Sequence, residues 1–136
     1  MIREASVVDT DIDGDALLRS VQDERAGAVV SFAGVVRNHD HGVAVTGIQY
    51  VAHPSADRVL REIVAEYEGR VHGIAVQHRV GRLGIGGVAL YLAVSASHRK
   101  EAISCMDELI DEIKARLPIW KKQFLADGTH EWSQCP

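Results

Sequence analysis

The segment "HRKEAISCMDELIDEIKARLP", residues 98 to 118, restricts the fold more than any other stretch of the chain. Ile103, Met106, Leu109, Ile110, Ile113 and Leu117 recur at steps of three and four, which predicts one helix from about His98 to Leu117 with a single apolar stripe. Pro118 ends it, because proline lacks the donor that a further turn would need. A helix this long and this one-sided requires a partner surface, and the remaining segments read mainly as strands.

"IREASVVD" predicts a first strand, and "DIDGDALLRSVQDE" a short helix favoured by its acidic first turn. "GAVVSFAGVVR" is apolar on both faces, as a buried strand is, and "VAVTGIQYVAH" predicts another. Pro54 suits the first turn of a helix over roughly residues 54 to 69, whose apolar face is Val59, Leu60, Ile63, Val64 and Tyr67. "VHGIAVQHRVG" and "GGVALYLAVSAS" form an antiparallel pair joined by "GRLGIGG", whose Gly84, Gly86 and Gly87 read as turn residues. "WKKQFLADGTHEWSQ" predicts a terminal hairpin turning at Asp127-Gly128. The order β-α-β-β-α-β-β-α-β-β indicates an α+β fold, a mostly antiparallel sheet with packed helices, in a single domain spanning 1–136.

Composition narrows the function classes. With 136 residues, 46% of them hydrophobic and 25% charged, the chain closes one core without metals or disulfides. The net charge of -4 sits in residues 1–26, which carry seven acids and three bases, while the remainder carries twelve of each. That balance argues against nucleic acid, whose binding needs a basic stripe, but leaves room for a small anion. No apolar run is long enough for a bilayer and the amino terminus lacks a signal-peptide pattern, so a cytoplasmic location and no membrane partner are expected. Cys105 and Cys135 have neither metal-knuckle nor disulfide spacing; Cys105 reads as a small core residue and Cys135 has no assignable role.

Several polar clusters could carry chemistry. In "SASHRK", Ser97 can cap the long helix, yet His98, Arg99 and Lys100 occupy its first turn, where the dipole disfavours cations. An anion would compensate, since free backbone N–H groups favour one there; the plainer alternative has the three side chains fanned into water. On the helix wheel Arg99 falls within the apolar stripe and so should point towards protein, and Lys114 lies at its edge. Half-burial there would push the Lys114 amine towards acid-base use, whereas a snorkelling stem would leave it in water. Arg99 and Lys114 are roughly 22 Å apart along the helix, so one small molecule reaches both only if a second copy supplies the other end, across a two-fold.

"VVRNHDHG" puts Arg37, Asn38, His39, Asp40 and His41 at the end of a buried strand, a usual place for ligand contacts, with Arg37 able to hold a phosphate as a planar fork. His39 and His41, with His53 as the third candidate, are metal ligands only with further support; a solvated loop is the simpler reading. "GRLGIGG" is followed by a strand rather than a helix, which removes the dinucleotide reading. Ser95 and Ser97 lie near His98 without the Gly-x-Ser-x-Gly elbow of a hydrolase. "EIKARLPIWKKQ" gathers Lys114, Arg116, Lys121 and Lys122 around Pro118 and Trp120 in a chain that is acidic overall.

Taken in order, "GAVVSFAGVVRNHDHG", "HRVGRLGIGG", "AVSASHRKEAI" and "KARLPIWKKQ" with a later Trp132 resemble the large, catalytic subunit of molybdopterin synthase over about residues 27 to 133. The resemblance implies an α/β hammerhead fold and an enzyme of molybdenum cofactor biosynthesis. Its reaction is sulfur transfer from the carboxyl-terminal thiocarboxylate of a ubiquitin-like small subunit to cyclic pyranopterin monophosphate, giving the molybdopterin dithiolene. It implies a homodimer with one small subunit at each end, a heterotetramer, and no metal or cofactor. Lys114 and Lys121 match the family's two catalytic lysines. Arg37, His98 and Arg99 match its substrate-binding residues, with His98 and Arg99 reaching the site from the neighbouring copy, and Phe32 and Ile110 match pocket-lining positions. The proline stop would then swing Trp120 and Lys121 back beside Lys114.

The chain departs from the family pattern at Val35, where some members carry lysine, at Gly86-Gly87, where an acidic residue is common, and at Gln123, where glutamate is frequent. It also stops at Cys135-Pro136, short of basic residues that many members add, so weaker or differently supplied phosphate binding is expected. The rival reading is a non-catalytic scaffold that binds a ubiquitin-like tail or a small anion, and retention of both lysines argues against it.

Overall fold

A computed structural model describes the backbone of residues 1–135 and the side chains through Ser133; the Cys135 side chain lies outside the described residues. In chain order the elements are β1 (Ile2–Val8), α1 (Gly14–Ser20), β2 (Ala28–Val35), β3 (His39–Asp40), β4 (Val43–Ala52), α2 (Ala56–Ala65), β5 (Gly73–Arg79), β6 (Gly81–Gly84), β7 (Val88–Ala96), α3 (Arg99–Arg116), β8 (Ile119–Leu125) and β9 (His130–Cys135). The α+β class and the predicted order both stand, with β3 and β6 added.

A four-stranded sheet has the order β1-β5-β7-β2, and a five-stranded one runs β3-β4-β8-β9 with β6 also on β4. Only β1 with β5 is parallel among these pairings; the others are antiparallel. The chain crosses from the first sheet to the second at Val80–Gly81, where Gly81 has φ +97, a backbone region that suits glycine. "GRLGIGG" is therefore not only a connection, since Gly81–Gly84 pairs with β4 and buries Leu83 at 2% exposure. Glycines at both ends of this strand, poor strand formers, hid it from sequence reading.

The helix α3 packs on β2 and β7, and α2 packs on β1. The residues it buries are Ala102, Cys105, Met106, Leu109 and Ile113, whereas Ile103 is 55% exposed. The apolar stripe is thus rotated from the one the large residues suggested, because small Ala102 and Cys105 let the helix close on the sheet. The N-cap is His98, not Ser97, and it makes no side-chain cap bond; the Ser97 hydroxyl instead pairs with His72 Nε2 at 2.8 Å. Leu117, extended at φ -72 and ψ 122 as a residue before proline should be, ends the helix.

The second helix begins at Ala56 and stops at Ala65, shorter than predicted, with a separate 3-10 turn at Glu68–Arg70. Asp57 in its first turn accepts the Val7 N–H at 2.7 Å, tying α2 to β1. On the other side of the first sheet α1, capped by Asp13 Oδ1 accepting from Ala16 N at 3.0 Å, packs Leu17 and Val21 on Ala75 and Ala93. Among the described residues no helix is long and apolar enough to cross a membrane. Cys105 is a fully buried core residue, as expected, and burial pushes its thiol pKa up to about 11.

His78 on β5 is fully buried, stacked edge-on to Tyr50 with ring centroids 5.2 Å apart. Its Nδ1–H donates to Arg79 O at 2.8 Å, while Nε2 has no hydrogen-bond partner among the described residues. A second proton would have no acceptor, and burial lowers the pKa from 6.5 to about 4. The unfolded chain takes up that proton first, so stability present above pH 6.5 is lost as pH falls towards 4. The urea midpoint should therefore drop across that window in the native chain, and His78→Phe should flatten the drop even if its absolute stability is lower.

Candidate functional site

The last turn of α3 and the start of β8 meet on one side of the Leu117-Pro118 corner. In the β4–β8 register Lys121 stands opposite Tyr50. Strand alternation sends Lys121 inward with Tyr50, while Trp120 and Lys122 project from the opposite face. β2 contributes Phe32 and Gly34 from its α3 side, and the chain leaving β2 contributes Arg37. Phe32, Gly34, Val35, Arg37, Tyr50, Ala89, Leu90, Lys114 and Lys121 line one cavity of about 210 Å³.

A smaller recess of about 100 Å³ shares Val35, Arg37, Tyr50 and Lys121 with it and adds His39, Asp40 and Gln123 among its walls. Asp40 supplies the carboxylate among these cations. Its Oδ2 accepts from Gln123 Nε2 at 2.9 Å, and its Oδ1 lies 3.4 Å from an Arg37 guanidinium nitrogen and 3.6 Å from His41 Nε2. The Gln123 amide holds the Asp40 carboxyl below the usual carboxylate range; His41, Lys121 and Arg37 act in the same sense, against desolvation. Gln123 is 4% exposed, and its Oε1 has no hydrogen-bond partner among the described residues. With Arg37, Lys114 and Lys121 against one carboxylate, the cavity as a whole suits an anion.

Of the residues matched to the family's site, Phe32, Arg37, Lys114 and Lys121 line one cavity, with His39 and Asp40 in the adjoining recess, whereas Ile110, His98 and Arg99 do not join them. Ile110 is half-buried one turn before Lys114, packed on the core and not in the cavity wall. His98 and Arg99 lie at the far end of α3 and are exposed. The rotation of the buried stripe explains why Arg99 does not point into protein and why Lys114 is exposed rather than half-buried. Trp120 is 40% exposed on the outer face of β8, so it does not accompany Lys121 to Lys114.

Two further cations of that segment have other partners. Arg116 pairs with Glu66 at 2.8 Å and Glu112 at 3.2 Å, which raise its pKa, and Lys122 Nζ lies 5.4 Å from the Phe124 ring and 5.6 Å from the Trp132 ring. His39 pairs with Asn38 at 2.9 Å and His53 with Ser55 at 2.8 Å. Among the described residues no group of three or more His, Cys, Asp or Glu side chains is placed to hold a metal ion. Tyr50 escaped sequence reading; the signal was the alternation that puts it with Ile48 on one face of β4.

Comparison with known proteins gives a consistent picture. Residues 7–116 match the family model described as MoaE protein. The molybdopterin synthase catalytic subunit of Bacillus subtilis is 36% identical over 129 residues, covering 93% of this chain and 82% of that protein. The X-ray crystal structure of molybdopterin synthase from Staphylococcus aureus superposes with a TM-score of 0.87 at 33% identity, over 95% of this chain and 96% of that one. The fold is also shared, with a TM-score of 0.75 at 20% identity, with a chain of the complex of subunits 1 and 2 of the molybdopterin-converting factor from Helicobacter pylori, over 95% of this chain and 89% of that one.

Gln123→Leu removes the largest influence on Asp40 without adding a charge. The Asp40 pKa should rise towards the ordinary carboxylate range when followed by the carboxyl carbon shift in an NMR titration; an unchanged value would show that Arg37, Lys121 and His41 suffice.

Proposed function

The chain belongs to the MoaE family, that of the molybdopterin synthase catalytic subunit, and from that premise we propose that it transfers sulfur from a thiocarboxylated ubiquitin-like small subunit to cyclic pyranopterin monophosphate. The observation that carries this reading is the meeting of Lys114 and Lys121, from two different elements, with Arg37 at one cavity walled by Phe32 and Tyr50. Both reactants are anionic at the reacting end, and the cavity is cationic with aromatic walls that suit a pterin ring.

Sulfur attack opens the cyclic phosphate, so negative charge builds on a leaving oxygen. Ammonium groups already in place lower that barrier because they need no reorganisation as the charge appears. Lys114 serves as general acid-base group or holds the acyl terminus of the tail, and Lys121, opposite Tyr50, is its electrostatic partner. Arg37 holds the phosphate as a bidentate fork. Asp40, held by Gln123, pairs with Arg37 from behind, and Lys121 acts on the same carboxylate through its charge. His98 and Arg99 complete the phosphate site from a second copy, which makes the working unit a homodimer with a small subunit at each end.

Lys114→Ala should keep dimerisation and small-subunit binding while product formation falls by about 100-fold or more. The assay mixes the purified chain with its thiocarboxylated small subunit and the cyclic pterin phosphate and follows the dithiolene product. Near-native turnover would remove Lys114 from the mechanism, and binding of the tail without turnover by the native chain would leave only a scaffold.

A further inference from the structure

β7 ends at Ala96 and α3 begins at Arg99, so the link between them is Ser97 and His98 alone. Serine is a preferred N-cap and histidine is not. Yet His98 takes the cap position of α3, extended at φ -132 and ψ 155, with no side-chain cap bond. The hydroxyl that would suit the cap, on Ser97, is engaged by His72 Nε2 at 2.8 Å. A local preference set aside in this way has its reason elsewhere, and in folded proteins that reason is commonly functional.

His72 is well placed to hold the link. Its N–H donates to Ser95 O at 2.8 Å, and its carbonyl accepts from the Met1 ammonium at 2.8 Å, so the ring stands on anchored backbone just before β5. From the other side the Gly27 N–H donates to Ala96 O at 3.0 Å. A Cβ at Gly27 would lie 2.6 Å from Ser97 O, so glycine alone permits that approach. The link is thus gripped between the residue before β2 and the residue before β5, and the only side-chain bond in the grip is His72 to Ser97.

The grip decides how α3 starts. With Ser97 as cap, His98 would be the first helical residue, its side chain about 100° around the axis from Arg99. With Ser97 held by His72, His98 stays extended and Arg99 opens the helix, so the two side chains leave from backbones of different conformation. Both are exposed, and an exposed side chain must be ordered when it binds. Fixing the backbone beneath them beforehand reduces that cost.

We infer that His72 is a positioning residue for the phosphate: through Ser97 it fixes the link that presents His98 and Arg99. This rests on the sulfur-transfer reading, in which those two side chains help to hold the cyclic phosphate. His72 touches no reacting atom and lines no cavity with Lys114 or Lys121. Its loss therefore weakens binding of the phosphate and spares the bond-making step that the lysines carry.

Two readouts on the full chain test this. By NMR relaxation the Ser97, His98 and Arg99 amides of the native chain should have order parameters of about 0.85, falling towards about 0.6 in both His72→Phe and Ser97→Ala. His72→Gln, whose amide nitrogen can reach where Nε2 stands, should restore them. In the dithiolene assay with the cyclic pterin phosphate varied, His72→Phe and Ser97→Ala should each raise KM about three- to tenfold, as expected for one hydrogen bond, and leave kcat within about twofold. The double variant should be no worse than either single one, since both remove the same bond. Ser55→Ala, which breaks the comparable His53–Ser55 pair, should change neither constant. Native-like order in both His72→Phe and Ser97→Ala would overturn the positioning. Lost order with KM unchanged, or with kcat falling instead, would overturn its link to the phosphate. A native chain without turnover would sink the sulfur-transfer reading, and the order parameters would still decide what His72 does to the link.

Discussion

The seating of α3 on β2 and β7 through Ala102, Cys105 and Leu109 fixes everything that follows in this molecule. A small line of contact lets the helix sit low on the sheet, and that depth turns the larger Ile103 and the cation Lys114 sideways. Pro118 then stops the helix where its last turn overhangs the second sheet, and the Pro118 carbonyl accepts the His53 N–H at 3.0 Å, locking the corner to the end of β4. Lys114 and Lys121 owe their common cavity to this one corner.

Charge around the cavity is graded rather than uniform. Asp40 neutralises part of the positive field on the side of the smaller recess, while Lys114 stands on the opposite side with no carboxylate among the lining residues. Gln123 is neutral, and the carboxylate bonded to it belongs to Asp40.

The elements were legible in the sequence because each has a strong period: α2 buries Leu60, Ile63 and Val64, and β7 is apolar on both faces. The position of α3's buried line was not, since hydrophobicity ranks Ile103 above Ala102 while packing against a sheet favours the smaller residue. β6 was hidden by its glycines, and Tyr50 by a strand whose inward face became visible only once β8 was laid against it. The lysine pair was readable from its motif, whereas the Asp40–Gln123 bond joins residues 83 positions apart and has no local signal.

The thiol of Cys105, on the buried side of α3, has zero exposure and is pushed up to a pKa of about 11. Acyl–sulfur compounds exchange readily with thiolates, and a protein that handles such a donor risks losing it to its own side chains. Among the described side chains the one thiol is both uncharged at neutral pH and walled off from solvent. Under the sulfur-transfer reading proposed above, an activated tail reaching Lys114 would meet amines and a guanidinium but no sulfur among the described lining groups.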